Sequence, residues 1–296
     1  MKKVLVLSLI ALFAISMAYE PKFAANVIYS ISGSSGSSFA APDSVGLGKS
    51  RITITSKVSD MTSLVWITKP FSSQDEDYFF VDTITAIGKL RIGNQRLGIA
   101  NYGGGVYETN TFLSQVYFKS IGVAYMTNIG DTKLNVLAAG GYNNTTSKLG
   151  ARAITKMGDM NLAGYALLFL NGSTSATAVG VDADTNIAGF GLAGQAYMEL
   201  GDSGASLLKS GSTAARTFGA AYVSYILPGM NVKLFGDLVM ALSDGAKASW
   251  GYKTNIKVGA SMPLNTETRI FADLTMTTDK NDATANSGQA GFELFL

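Results

Sequence analysis

Apolar and polar residues alternate with a period of two along much of the chain, most clearly between Phe79 and Gly105. Residues 81–87 and 90–93 form two alternating runs, separated by Gly88-Lys89. Alternation of this kind predicts strands with two unlike faces. One face is apolar, whereas the other carries isolated charges such as Asp82 and Arg91. A sheet of this composition suits lipid on one side and water on the other.

The same periodicity divides the chain into sixteen predicted strands, with 14 or 18 as alternatives because the 176–200 region is ambiguous. The first eight are predicted at 24–32, 50–58, 62–69, 79–87, 89–99, 113–127, 132–142 and 149–157. The other eight are predicted at 160–170, 176–187, 189–200, 213–227, 230–242, 248–262, 266–278 and 286–296. These segments have the length of strands that cross a bilayer at a tilt.

The connections between these strands alternate between long and tight. The long ones are rich in Gly, Ser, Asn and Asp and span residues 33–49, 70–78, 101–112, 143–148 and 201–212. The tight ones are Ser59-Asp60, Gly88-Lys89, Gly130-Asp131, Gly158-Asp159, Pro228-Gly229 and Asn265-Thr266. This asymmetry is typical of bacterial outer-membrane barrels. The sequence therefore predicts an all-β fold, a transmembrane antiparallel β-barrel of about 16 strands with short periplasmic turns and longer outer loops.

Composition supports a membrane location. The chain has 296 residues, a mean hydropathy of +0.22 and only 15% charged residues, whereas soluble domains have about a quarter. After the first twenty residues no apolar run approaches the roughly 18 residues that a spanning helix needs. A closed barrel is the other architecture that satisfies every backbone polar group in lipid.

The N-terminus carries the features of a secretory signal peptide. Lys2 and Lys3 precede an apolar stretch at 4–15, which is followed by the small residues Ser16 and Ala18 around Met17. We expect residues 1–18 to be the signal peptide, residues 19–296 to be the barrel, and the mature chain to lie in the outer membrane; an uncleaved helix is the alternative. The chain has no cysteine, so no disulfide holds it together.

The absence of histidine argues against catalysis. With no His in the chain, neither a Ser-His-Asp triad nor a His-ligated metal can be built. We expect no enzymatic activity, no cofactor and no nucleic-acid partner. Asp182 and Asp184, two residues apart, are interpreted as lumen lining rather than as an acid and base pair. Asp75-Glu76-Asp77 is interpreted as part of a solvated outer loop, with a Ca²⁺ site as the alternative.

The G-x-G-x-x-G sequence at 189–194 continues into an alternating run. A dinucleotide-binding loop would instead follow a strand and open a helix. We therefore interpret these glycines as residues of a barrel strand.

The hairpin at 81–95 resembles the general bacterial porins. The matching residues read Val81-Asp82-x-x-x-Ala86-x-Gly88-Lys89-Leu90-x-Ile92-Gly93-x-Gln95, followed by the loop from Asn101. The match covers about thirty residues, and the rest of the chain agrees in architecture only. The last strand also resembles the C-terminal strand of outer-membrane proteins, although it ends on Leu296 with Phe295 one place early. The resemblance implies a homotrimer of 16-stranded barrels whose third outer loop folds into the lumen.

Charged residues on the polar strand faces define the predicted pore. About twelve are basic and six or seven acidic, which predicts a mild preference for anions. The predicted lining and constriction comprises Arg51, Asp82, Arg91, Arg96, Glu108, Lys119, Lys133, Lys233, Lys253, Lys257 and Arg269. We place the narrowest point where the loop 101–112 brings Glu108 opposite Arg51, Arg91 and Arg96.

The function predicted from these features is passive diffusion of small hydrophilic solutes and ions across an outer membrane. The expected partners are outer-membrane lipid and these solutes. The alternative is a barrel with a closed lumen that acts as a surface scaffold or adhesion protein.

Overall fold

The computed structural model of the protein describes residues 22–34, 44–46, 51–68, 78–98, 117–140, 146–172, 174–201 and 215–295. The predicted signal peptide, the 101–112 loop and Asp75-Glu76-Asp77 lie outside these residues. Within the described ranges, no helix is long and apolar enough to span a membrane.

The described chain is built of antiparallel strands. The first nine are β1 (Lys22–Ser34), β2 (Ser44–Gly46), β3 (Arg51–Lys57), β4 (Thr62–Thr68), β5 (Tyr78–Thr85), β6 (Gly88–Gly98), β7 (Tyr117–Ile129), β8 (Thr132–Gly140) and β9 (Thr146–Met157). The other eight are β10 (Met160–Asn171), β11 (Thr174–Ile187), β12 (Phe190–Gly201), β13 (Arg216–Leu227), β14 (Val232–Ala241), β15 (Tyr252–Pro263), β16 (Thr268–Asp279) and β17 (Thr284–Phe295). A short helix, α1 (Asp244–Trp250), lies between β14 and β15.

The sheet closes on itself as a barrel. Each strand from β3 onward pairs with the next, and β17 pairs with β1 from Asn26↔Phe295 to Ser34↔Ser287. β2 and β3 both pair with β1, at Ser30–Ser32 and at Lys22–Asn26 respectively. These two segments therefore occupy one position in the ring, so the described strands fill about sixteen positions, and the predicted antiparallel barrel fold is confirmed. The 176–200 region forms β11 and β12; Gly191 and Gly194 lie in strand β12 as predicted, whereas Gly189 lies in the turn before it with a φ of 84°.

The two faces of the wall differ sharply. Residues directly opposite one another on neighbouring strands share a face, so the continuous registers assign each strand residue to the inner or the outer face. From β9 to β17, every charged residue in a regularly paired segment lies on the inner face. The outer face presents exposed apolar side chains, including Leu162, Val181, Val223, Val258 and Leu274.

A charge at the bilayer midplane costs about 2–4 kcal/mol for Arg or Lys on the lipid side of a barrel. This cost explains why the charges lie inside. Aromatic pairs on the outer face, such as Phe190 with Tyr225 at a ring-centroid distance of 4.4 Å, fit the aromatic girdles that flank the lipid-facing band of such barrels.

The connections follow the predicted alternation with three differences. Tight turns join β3 to β4, β5 to β6, β7 to β8, β9 to β10, β11 to β12, β13 to β14 and β15 to β16, all at the end where β1 begins and β17 ends. At the opposite end, the connections 172–173 and 280–283 are also short. The predicted turn at Gly88-Lys89 lies two residues earlier, and Gly88 opens β6 with a φ of 158°.

The predicted strand at 248–262 is wrong in its first residues, because 244–250 form helix α1. Ser243 caps the helix by accepting a hydrogen bond from the Ala246 amide at 3.2 Å. Its hydroxyl also donates to the Ala215 carbonyl at 2.7 Å and accepts from the Thr217 amide at 3.0 Å. Gly251 ends the helix in a left-handed conformation with a φ of 79°. One serine thus anchors the helix to the outer end of β13.

Candidate pore lining

The inner face of the barrel carries the polar and charged groups. The basic residues that the registers place on this face, and whose side chains are described, are Lys22, Lys57, Lys89, Arg91, Lys133, Lys148, Arg152, Lys156, Arg216, Lys233, Lys257 and Arg269. The acidic ones are Asp82, Asp182, Asp184, Glu199, Asp237, Asp273 and Glu293. Basic groups therefore outnumber acidic groups on this wall.

The hairpin β5–β6 holds a compact ionic cluster. Asp82 lies directly opposite Arg91, and the guanidinium binds the carboxylate in a bidentate manner, with Nε 2.7 Å from Oδ1 and Nη2 2.9 Å from Oδ2. Lys89 Nζ lies 2.5 Å from the same Oδ2. The Arg91 Cζ also lies 3.8 Å from the Phe80 ring centroid, a cation–π distance. Arg91 is thus held flat against the wall, and because Asp82 is shared between Arg91 and Lys89, the carboxylate balances one of the two positive charges.

Two further pairs balance charges elsewhere on the inner wall. Arg152 of β9 reaches across β10 to Asp182 of β11, with Nη2 at 2.8 and 3.0 Å from the two carboxylate oxygens. Lys257 Nζ lies 3.4 Å from Asp273 Oδ2, which also accepts a hydrogen bond from Gln289 at 2.6 Å. The middle of the described wall therefore presents paired charges rather than isolated cations.

The outer end of β12 and β13 buries a complete ion pair. Arg216 Nη2 lies 3.0 Å from Glu199 Oε1, and neither side chain is exposed. The Tyr197 hydroxyl donates to Glu199 Oε2 at 2.8 Å. Two charges fully removed from water are stable only when paired and hydrogen-bonded. This network is an element of wall structure rather than a surface that a solute contacts.

An apolar cluster lies on the same inner wall as that ion pair. Its buried members are Ala124, Leu137, Ala139, Tyr165, Leu167, Phe169, Ala176, Ala178, Tyr197, Phe218, Ala220, Val239, Ala241 and Ala246. Ala246 belongs to helix α1, and the strand members have inner-face registers. Helix α1 therefore packs inward against the barrel wall at its outer end.

The lysines on the inner face near the short turns differ from one another in their contacts with carboxylates. Lys133 and Lys156 are exposed and form no ion pair within the described ranges. Lys57, by contrast, lies 2.5 Å from Asp60 in the adjacent turn. The hydrogen bond and the charge of Lys57 lower the pKa of the Asp60 carboxyl.

The structure brings part of the predicted pore lining together. Asp82 and Arg91 meet directly. Lys133 and Lys233 lie near the short-turn end, where Lys233 Nζ lies 5.8 Å from the Tyr222 ring centroid. Arg269 Cζ lies 5.4 Å from the Phe295 ring centroid. Lys253, at a register shift between β15 and β16, pairs with Asp282 at 2.5 Å.

The predicted constriction is not assembled within the described residues. Glu108 and its loop lie outside them, and the side chains of Arg51, Arg96 and Lys119 are not described. By backbone register, Arg51 shares the face of Thr53 and Thr55. Arg96 pairs with Lys119 in an unshifted ladder from Lys89 to Gly98. Position 96 is an odd number of residues from position 91 on the same regularly paired strand, so the two positions alternate to opposite faces. The backbone therefore does not support a joint role of Arg91 and Arg96 in one constriction.

Sequence reasoning missed the buried Glu199 and Arg216 pair and the contribution of helix α1. Alternation along β12 and β13 was sufficient to assign both charged residues to the inner face. Their mutual contact depends on the register across a long connection, which the sequence does not reveal. The helix had a local signal, because Ser243 followed by Asp244 is a typical N-cap with an acidic first turn.

Comparison with solved structures identifies this architecture. The anion-selective porin from Comamonas acidovorans aligns with a TM-score of 0.66 and 13% identity over 94% of this chain and 99% of that chain. The outer-membrane expressed OmpT of Vibrio cholerae aligns with a TM-score of 0.65 and 14% identity over 93% and 97% of the two chains. The fold is that of the bacterial outer-membrane porins.

The outer membrane channel DcaP of Acinetobacter baumannii is also similar, with a TM-score of 0.59 and 12% identity over 94% and 97% of the two chains. At these identities the likeness concerns the fold. No family model matches the chain, and no curated protein matches it. The porin architecture predicted from the 81–95 hairpin is therefore confirmed by structure alone.

Proposed function

We propose that the protein is an outer-membrane porin that forms a water-filled channel for passive diffusion of small hydrophilic solutes and ions. The observation that carries this proposal is the division of the closed wall into two faces. Charged residues of β9 to β17 lie inside, and the outside is apolar. A polar interior with an apolar exterior is the arrangement that a transmembrane barrel channel requires.

Several finer statements belong to the same proposal. The chain is exported through its N-terminal segment 1–18, the barrel of residues 19–296 resides in the outer membrane, and it assembles as a homotrimer without catalytic activity. One solved structure with this fold is described as a trimer form of OmpT from Vibrio cholerae. We further propose a mild anion preference, supported by the excess of basic side chains on the inner wall and by rings of Lys and Arg favouring anions in pores.

Planar-bilayer recording of the purified barrel tests this function. We expect stepwise conductance increments, and a reversal potential in a KCl gradient that indicates chloride preference. A folded, membrane-inserted barrel that produces no conductance steps would contradict the proposal.

The second candidate is a closed-lumen scaffold or adhesion barrel. The buried apolar cluster on the inner wall favours it, because apolar side chains on a lumen face indicate packing rather than hydration. The same recordings separate the two functions, since a packed lumen does not conduct.

A further inference from the structure

We propose that Lys133 and Lys156 form a binding site for small multivalent oxyanions, such as phosphate or dicarboxylates, at the short-turn mouth of the barrel. The site sets the anion preference of the channel. This inference rests on the proposed channel function and adds to it the location of the selectivity site and the class of ligand.

The first step is the charge balance of the middle wall. Arg91, Arg152 and Lys257 each lie against a carboxylate. A permeating ion near such a pair meets opposite charges within a few ångströms, and their fields largely cancel. The sign of the lumen field is therefore decided where cations lack such partners.

The second step is the geometry of β8 and β9 beside their turns. Lys133 lies opposite Ile154, which is two residues before Lys156 on the same face. The two lysines are thus a diagonal cross-strand pair, with Cα atoms about 7–8 Å apart. Each ammonium lies on a flexible four-carbon stem, so both can reach one anion between them.

The third step concerns the neighbouring polar groups. Asn128 lies opposite Lys133 on β7, and Asn161 lies opposite Lys156 on β10. The Asn161 side-chain amide donates a hydrogen bond to Asp184 Oδ2 at 2.8 Å, so that carboxylate oxygen already has a partner. Asp131 and Asp159 in the adjacent turns form no ion pair with either lysine in the described structure. Two like charges held side by side with amide neighbours favour a ligand that carries two negative charges.

Lys57 provides a matched control. It lies on the inner face at the same end of the barrel, but Asp60 lies 2.5 Å from its ammonium. Removing its charge should change the lumen field much less than removing the charges of Lys133 and Lys156.

The experiment measures the block of chloride current by inorganic phosphate at about pH 8. Recordings use about 0.1 M KCl, where the Debye length is about 10 Å. Pro228→Cys, in the short turn between β13 and β14, marks channel orientation through reaction with a membrane-impermeant thiol reagent, since the chain has no native cysteine.

We expect phosphate to block at lower concentration from the short-turn side. The double variant Lys133→Gln with Lys156→Gln should raise the half-blocking concentration about tenfold or more, because both ammonium groups are lost. The same variant should move the reversal potential toward cations. Lys57→Gln should change the half-blocking concentration by less than about twofold. The variant Lys133→Arg with Lys156→Arg keeps both positive charges, so phosphate should still block it. This control distinguishes loss of charge from damage to the fold.

The proposed site would be wrong if phosphate blocked the double glutamine variant at the same concentration as the unmodified channel. It would also be wrong if Lys57→Gln weakened the phosphate block as much as the double variant does. So would phosphate block that shows no sidedness. Absence of any channel in the unmodified protein would instead overturn the proposed function itself.

Discussion

The pairing of Asp82 with Arg91 makes a prediction about selectivity that charge counting alone does not make. Asp82→Asn removes the carboxylate and leaves Arg91 and Lys89 as two cations on the wall. Arg91→Gln leaves Asp82 with Lys89 and removes a net positive charge. The two single variants should therefore shift selectivity in opposite directions, and the double variant should return close to the starting value.

The magnitude follows from Coulomb's law. An ion that passes about 8 Å from one uncompensated charge in water gains or loses about 0.5 kcal/mol. This energy changes the partition of each ion about twofold, in opposite directions for anion and cation. The permeability ratio thus changes about fivefold at low salt, and less where the Debye length falls to about 8 Å.

Reversal potentials in a KCl gradient measure this ratio directly. Asp82→Asn should strengthen anion preference, and Arg91→Gln should weaken it. If both single variants shift the potential in the same direction, the carboxylate and guanidinium do not act as a balanced pair. If neither shifts it in a conducting barrel, ions do not pass this part of the wall.

Three other predictions test the fold and the outer end of the lumen. Glu199→Gln and Arg216→Gln should each lower the free energy of unfolding in urea by about 3–5 kcal/mol. The double change Glu199→Leu with Arg216→Met should recover most of this loss. If each single variant lowered the free energy of unfolding only slightly, the ion pair would not be buried as described. Replacing 243–251 with a tight turn should raise single-channel conductance, whereas unchanged conductance would show that α1 does not narrow the path. In intact cells Lys280→Cys should react with an impermeant thiol reagent and Asn265→Cys should not, and the reverse labelling would show inverted orientation.

Local alternation predicted the face of most charged residues correctly, because the two-residue period of a strand is a property of short sequence. The contact of Asp82 with Arg91 was missed, because the predicted turn at Gly88-Lys89 would place Asp82 opposite Gln95, whereas the turn at 86–87 places it opposite Arg91. The contact of Arg152 with Asp182 could not be predicted from local alternation. Arg152 of β9 reaches Asp182 of β11 across β10, where the small Ala163 lies opposite Asp182. Such contacts depend on how three strands align, which no single segment encodes.

The short-turn end was overlooked for a related reason. A count of lumen charges treats all cations alike and therefore directed attention to Arg91. The structure shows that Arg91 lies against a carboxylate, whereas Lys133 and Lys156 form no ion pair in the part of the chain that is described. Selectivity depends on which charges remain uncompensated, and that requires the contacts as well as the composition.

The inner wall has a packing feature that bears on lumen width, and Gly180 provides its test. Tyr165 and Tyr197 both lie directly opposite Gly180 on the neighbouring strands. Their ring centroids are 6.4 Å apart, and a Cβ at Gly180 would overlap the ring of Tyr165. The absence of a side chain therefore lets the Tyr165 ring lie flat against the wall, where its hydroxyl accepts a hydrogen bond from Gln195 at 2.7 Å.

Gly180→Val should push the Tyr165 ring toward the lumen, lower single-channel conductance and cost about 1–3 kcal/mol of stability, as overpacking does. Gly164→Ala is the matched control, because Gly164 neighbours Tyr165 on the outer face and a Cβ there meets nothing within 4 Å. Adding Tyr165→Ala to Gly180→Val should restore conductance, since the displaced ring is then gone. If Gly180→Val folds and conducts like the unmodified barrel, the ring moves along the wall rather than into the passage, and glycine at this position does not maintain the width of the lumen.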